Sequence, residues 1–465
     1  MYDTRKLLTT NMVLPRILKI SADIHRYFFW FFTASALAGF AGFLYVAEVA
    51  TAVESYVFAF SLLGLRYPAR LLYIYLFFVS FLHRDFCYMS IEVPGLPLYI
   101  TEWILLILAL SGLPKLKTMY REHREATLLV AAWFSFGFIL FFLTIPWWGA
   151  SAALRDFAIV YYAFFIYAVL VHITTVRQTI FLFGALILGT VPNLLADMAN
   201  LLYNTLPVTG EQLNYSMRSS YFYIASFGII LPFFHKEGRW RIPCRAYMLV
   251  VAANVILYAY SKTAMITLLV LSLVFFWKDL IAMNLKRKAL VFGILLFVVM
   301  MTPSQKRFSI MDIVKPSTYS ENSRTYLIIA AWRDFVEQPY GIGFGPSIFD
   351  DHSRSMFQNV DEIHSLHNSY MTVLRRTGII GFAIFISVLA VGVRKGYRSL
   401  RNIRDPDNMV KRMLNGNLNA LAAMALFSFV HVALEGPFMG APFWIIAGSL
   451  YHLGREGNLA TISQE

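Results

Sequence analysis

The stretch ATLLVAAWFSFGFILFFLTIP, residues 126–146, carries no charged side chain. As a helix it rises about 30 Å, the thickness of a bilayer's hydrocarbon core. Its flanks are unequal. PKLKTMYREHRE (114–125) before it has four Lys/Arg, and PWWGA after it has none. That asymmetry is the signature of a spanning helix whose basic end stays in the cytoplasm.

The pattern recurs along the chain. Apolar runs predict spans at 28–48, 52–66, 69–83, 97–113, 126–146, 152–172, 178–203, 217–234, 244–260, 262–277, 288–303, 376–393, 415–434 and 437–453. Two of them, 52–66 and 69–83, are short enough to be tilted or re-entrant, so the expected count is 12 to 14. With 14 spans, HKEGRWRIPCR, KDLIAMNLKRK and RKGYRSLRNIRDPDNMVKR fall on the same side as 114–125 and the basic N-terminus. NTLPVTGEQLNYS and EGPFMGAP, without Lys or Arg, fall on the other. The fold class is therefore all-α, a polytopic membrane helix bundle with both termini in the cytoplasm. No strand pattern and no internal repeat is visible.

Composition agrees. Of 465 residues, 58% are hydrophobic and 14% charged, against about 25% charged in soluble domains. Length alone would suggest two or three soluble domains, but the recurring spans argue for one bundle. The net charge of +13 reads as cytoplasmic loops obeying the positive-inside rule, not as a nucleic-acid surface. No cleavable signal peptide is expected, because the first apolar run is too long. Cys87 and Cys244 fall on opposite sides of the membrane and are not expected to pair.

Residues 304–375 break the rhythm. They are long, polar and placed on the outer side, dividing the chain into a bundle (1–303), a periplasmic cap (304–375) and a closing bundle with a cytoplasmic tail (376–465). Within the cap, SENSRTYLIIAAWRDFVEQP sets Leu327, Ile328, Ala331, Trp332 and Phe335 on one helical face. A second cap helix is expected from about Asp361 through His367.

The polar residues of the cap form a sequence of motifs. Arg324 opens the first helix. Pro339-Tyr340-Gly341-Ile342-Gly343-Phe344-Gly345 follows. Then come His367-Asn368-Ser369-Tyr370 and, at the next span, Gly378 and Gly381. The glycines follow no strand, which argues against a dinucleotide site and for a tight backbone path. Upstream, Arg218 sits just inside a span, and Ser261-Lys262 lies in a short outer turn. Arg324 through Gly381 resembles the O-antigen ligase and polymerase superfamily of bacterial envelope glycan transferases. Its members share the loop-helix arginine, the P-x-G-x-G-x-G turn and the H-N-x-Y segment. They commonly carry Ser-Arg where this chain has Ser261-Lys262, which keeps the charge but loses bidentate phosphate recognition. The rest of the chain matches in architecture only.

The resemblance implies a GT-C-like bundle and transfer of a glycan from an undecaprenyl-diphosphate carrier to an acceptor hydroxyl at the periplasmic face. His367 would be the general base, since an imidazole titrates near neutral pH. Arg324 would act with it. Arg218, Arg155 and Lys262 would hold the diphosphate, with Asn368 and Tyr370 among the substrate-binding residues. Guanidinium suits phosphate oxygens. No acidic cluster suggests a metal, no cofactor is expected, and the anomeric centre would invert. The partners are the lipid-linked donor, lipid A core or a second lipid-linked glycan as acceptor, and the bilayer; nucleic acid is not among them.

Structural readings stand beside these. Arg155 could pair with Asp156, and Arg324 with Glu321. Arg375 and Arg376, at the membrane edge, read as headgroup contacts. Asn193, Asp197 and Glu435 read as helix-packing or interfacial groups, with a sugar cavity as the alternative. Trp147 and Trp148 read as interfacial belt. Within the family, ligase is favoured over polymerase, without a deciding residue. A protein O-oligosaccharyltransferase would use the same scaffold. A flippase of the lipid-linked glycan is the competing class, but it should show two similar halves.

Overall fold

The structure is a computed structural model that describes residues 59–93, 96–203, 210–234, 241–257, 261–282, 284, 320–346, 366–405 and 408–462. The chain divides into two units. Met1–Leu62 is described only at 59–62, which are helical, and Leu63–Glu465 holds everything below. The expected spans 28–48 and 288–303 lie outside the described residues.

The second unit is a helical bundle. Its helices are α1 (Pro68–Leu82), α2 (Ile100–Gly112), α3 (Leu116–Glu122), α4 (Arg124–Trp148), α5 (Ala150–Tyr161), α6 (Phe164–His172), α7 (Val176–Tyr203), α8 (Gly210–Ile230), α9 (Arg241–Leu257), α10 (Lys262–Ala282), α11 (Ser320–Glu337), α12 (Ser369–Asn402), α13 (Met409–Ser428) and α14 (Pro437–Ile462). Among the described residues, α4, α12 and Val176–Ala199 of α7 are long and apolar enough to cross a membrane. The pair α5 and α6, bent by 43°, is apolar enough only when taken together, as a broken span or a re-entrant loop, and α1 and Thr263–Trp277 are shorter apolar helices. On α4, Leu128, Phe138, Ile139, Phe142 and Leu143 are exposed. In so apolar a helix that surface is a lipid contact.

One expectation is corrected. Ser90–Val93 (β1) and Leu96–Tyr99 (β2) form an antiparallel hairpin, with Ser90 opposite Tyr99 and Val93 opposite Leu96. Pro94 and Pro97 hid it, because proline signals against a strand away from an edge. The helix expected from residue 97 accordingly starts at Ile100.

Helices pack through small residues, as membrane helices do. At the crossing of α8 and α13, a methyl added to Gly228 would lie 2.8 Å from the Ala420 nitrogen. One added to Gly416 would lie 2.5 Å from the Ile229 carbonyl oxygen. α7 runs along α1, and α12 along α14 and α4.

Ion pairs tie helices together at both ends of the bundle. At one end Arg455 pairs with Glu122 at 2.7 Å and Lys395 with Glu125 at 3.1 Å. These pairs draw together connections that the charge pattern assigned to one side. At the other end lie the α4–α5 junction, the glycine turn and the start of α12. This is a multi-pass membrane protein.

Candidate functional site

The site is built on a broken helix. Gly378 takes φ 63° and ψ −169° inside α12. The break strips the Arg375 and Arg376 carbonyls and the Ile379 N–H of helical partners, and buried backbone groups need partners within the protein. The glycine turn supplies them. Ile342 N–H donates to Arg375 O at 3.0 Å and Gly343 N–H to Arg376 O at 3.0 Å. Ile379 N–H donates to Pro339 O at 2.9 Å.

Such backbone-on-backbone contact leaves no room for side chains. A Cβ on Gly341 would lie 2.6 Å from the Gly378 nitrogen, and one on Gly378 would lie 2.6 Å from the Gly341 nitrogen. Both residues have positive φ, so both space and conformation require glycine there. Gly343 and Gly345 face Thr144 and Trp148 at the end of α4. The tight path expected of these glycines is real, and it docks on a spanning helix.

A buried ion pair holds the turn from beneath. The Arg376 guanidinium, 1% exposed, lies 2.7 Å from Asp156 and donates to Pro346 O at 2.8 Å. Asp156 also accepts the Gly345 N–H at 2.8 Å. Arg155 sits 3.4 Å from the other Asp156 oxygen, with its side chain half-exposed. One residue earlier in α12, Arg375 donates to Asp334 of α11 at 2.7 Å. The headgroup reading of Arg375 and Arg376 is therefore corrected: both are buried and paired within the protein. Their adjacency to Gly378 was the available signal, since charges at a membrane edge seek partners.

His367 stands just ahead of α12. Residues 366–368 are not helical, so the cap helix expected to run through His367 is corrected; its earlier part, 361–365, lies outside the described residues. His367 has φ 52°, a left-handed backbone that costs a non-glycine residue about 1–2 kcal/mol. Both its neighbours are anchored. Leu366 is buried against Leu327 and Ala331 of α11. Asn368 caps α12, accepting from Tyr370 N–H and Met371 N–H, each at 3.1 Å. Between these anchors the His367 residue is exposed.

The remainder of the motif is tied into the bundle. Ser369 accepts from Ala433 N–H at 3.0 Å and Leu434 N–H at 3.1 Å. Tyr370 donates to Ala425 O at 3.1 Å and packs on Phe429. Asn368 and Tyr370, expected among substrate contacts, thus make bonds that fix the backbone beside His367.

Arg218 lies on α8, half-buried, and its charge acts on His83 beyond the end of α1. His83 is buried, with φ 50° and its ring 5.1 Å from that of Phe222. Asn193 donates to Phe81 O at 2.9 Å and lies 3.5 Å from His83 Nε2. Asp197 accepts from Tyr223 at 2.7 Å and from Asn254 at 3.3 Å, linking α7, α8 and α9. Arg324 lies in the first turns of α11, and Lys262 opens α10 behind Ser261, whose hydroxyl accepts the Ala264 N–H at 3.2 Å. The side chains of Arg324 and Lys262 lie outside the described residues.

Residues 247–386 match a family model described as O-antigen ligase. The chain carries a domain of the O-antigen ligase and polymerase superfamily. That domain runs from α9 through α10, α11, the glycine turn and His367 into α12 beyond its break. Arg155 and Arg218 lie outside it. The superfamily makes glycan transfer of the ligase or polymerase type the general activity. No curated protein matches the chain.

Proposed function

We propose that this protein transfers a glycan from undecaprenyl diphosphate to a hydroxyl of lipid A core, as an O-antigen ligase of the inner membrane. The reading rests chiefly on His367, an exposed residue in a strained backbone between two anchored neighbours. Strain of this kind is characteristic of functional positions.

In this reading the acceptor oxygen attacks the anomeric carbon as the bond to the diphosphate oxygen breaks. His367 takes the hydroxyl proton, and the leaving undecaprenyl diphosphate takes the electron pair. Attack opposite the leaving group inverts the anomeric centre. Arg218, Arg324 and Lys262 neutralise the diphosphate without a metal, as fixed cations aimed at developing charge do. Arg155, half-exposed beside Asp156, contributes its free edge. The cap, 304–375, and the bundle segments on either side face the periplasm and span the membrane respectively, in 12 to 14 spans with cytoplasmic termini.

The test is transfer by purified protein in detergent with EDTA present, using undecaprenyl-diphosphate glycan. Lipid A core is offered in one arm and further donor in the other. Product on lipid A core supports the ligase. Product only on the lipid-linked glycan makes the protein a polymerase. No product in either arm, with flipping of the donor in liposomes, overturns transfer in favour of a flippase.

A further inference from the structure

Helix α11 has three sectors, not two. Leu327 and Ala331 pack on Leu366, and Asp334 bonds Arg375, which defines the side facing the bundle. About 140° round the helix, at 100° per residue, Ile328, Ile329, Trp332 and Val336 share an arc of about 100° and are 37%, 58%, 53% and 61% exposed. Phe335 borders the arc, its ring 5.4 Å from that of Trp332. Exposed Arg333 and Glu337 form the third sector. The single apolar face expected from the sequence is thus divided: Leu327 and Ala331 turn inward, while Ile328 and Trp332 turn outward.

The outward arc continues into the surface of a spanning helix. The bond from Ile379 N–H to Pro339 O sets the exposed Tyr340 beside Ile379 and Ile380, which are exposed at the first turn of α12 beyond its break. Trp148, against Gly345, and the exposed Trp147 lie at the neighbouring end of α4. A helix with one apolar and one charged face beside a bilayer lies in the interface plane, and aromatic residues gather at that depth.

We propose that α11 is an interfacial membrane helix. Ile328, Ile329, Trp332, Val336 and Tyr340 insert among the acyl chains of the adjoining leaflet, and Arg333 and Glu337 face water. The cap is then anchored in the lipid, and through Leu366 it holds His367 at the depth where the headgroup of a lipid-borne substrate emerges. The insertion does not depend on the transfer reading, so failure of one leaves the other standing.

The experiment is spin-label accessibility in full-length protein in liposomes, with Cys87 and Cys244 replaced by serine. Single cysteines are placed at Ile329, Trp332, Val336, Arg333 and Glu337, with Leu143 as the lipid reference and Lys117 as the aqueous one. Oxygen should exceed the nickel chelate as quencher at 329, 332 and 336, as at 143. The order should reverse at 333 and 337, as at 117. Chelate-dominated quenching at 329, 332 and 336 would overturn the proposal by placing the face in water. Low access to both quenchers would overturn it by showing the face covered by protein.

Discussion

His367→Ala is expected to reduce glycan transfer by about 10²–10⁴-fold, the usual contribution of a general base, with little change in thermal stability. The cap of α12 and the packing against α11 are made by its neighbours, Asn368 and Leu366, and survive the change. Two further variants separate backbone from chemistry. His367→Gly removes the penalty of positive φ and is expected to be at least as stable as the native protein, yet equally inactive. His367→Asn tolerates the left-handed backbone and should be inactive too. Added imidazole should restore part of the activity of His367→Gly. Native rates from any of the three would exclude His367 as the base. A folded, inactive variant with unchanged donor binding and imidazole rescue would separate proton transfer from donor affinity.

Asp156→Ala is expected to cost about 3–5 kcal/mol, because it leaves the buried Arg376 guanidinium without its counter-charge. It also frees the Gly345 N–H from its acceptor, so the glycine turn should loosen over the α12 break. Arg376→Met should be similarly harmful, since it strands Asp156. Asp156→Ala combined with Arg376→Met should recover only part of the loss: no buried charge is then left unpaired, but the Gly345 N–H and the Pro346 carbonyl still lack their partners. The check is a double-mutant cycle of thermal or detergent-induced unfolding. Additive effects of the two single changes would mean that the pair is not coupled. Arg155→Ala, on a half-exposed partner, should leave stability within about 1 kcal/mol. A selective fall in donor affinity would then assign Arg155 a contact with the diphosphate.

Much of the fold was legible because a bilayer leaves few choices. A charge-free run such as 126–146 must satisfy its backbone internally, and the bundle's helices match the expected runs to within several residues at most ends. The hairpin at residues 90–99 was hidden because strands of four residues, one of them holding Pro97, carry almost no periodic signal. The motifs of the cap were legible as types of residue but not as roles. Nothing in the string H-N-S-Y says that asparagine caps, serine ties a loop and tyrosine braces a helix while histidine alone stays exposed.

The sequence by itself determined that this is a helical membrane protein that carries the superfamily's motifs late in the chain. Those features follow from local composition, which water and lipid read residue by residue. Only the tertiary structure decided the partners of Arg375, Arg376 and Asp156. It also decided the conformation of His367 and which side of α11 meets the bundle. Pairing across 220 residues, as between Asp156 and Arg376, and the satisfaction of carbonyls freed by a break at Gly378 depend on which helices lie side by side. That arrangement is set by packing of the whole bundle, and no local pattern encodes it.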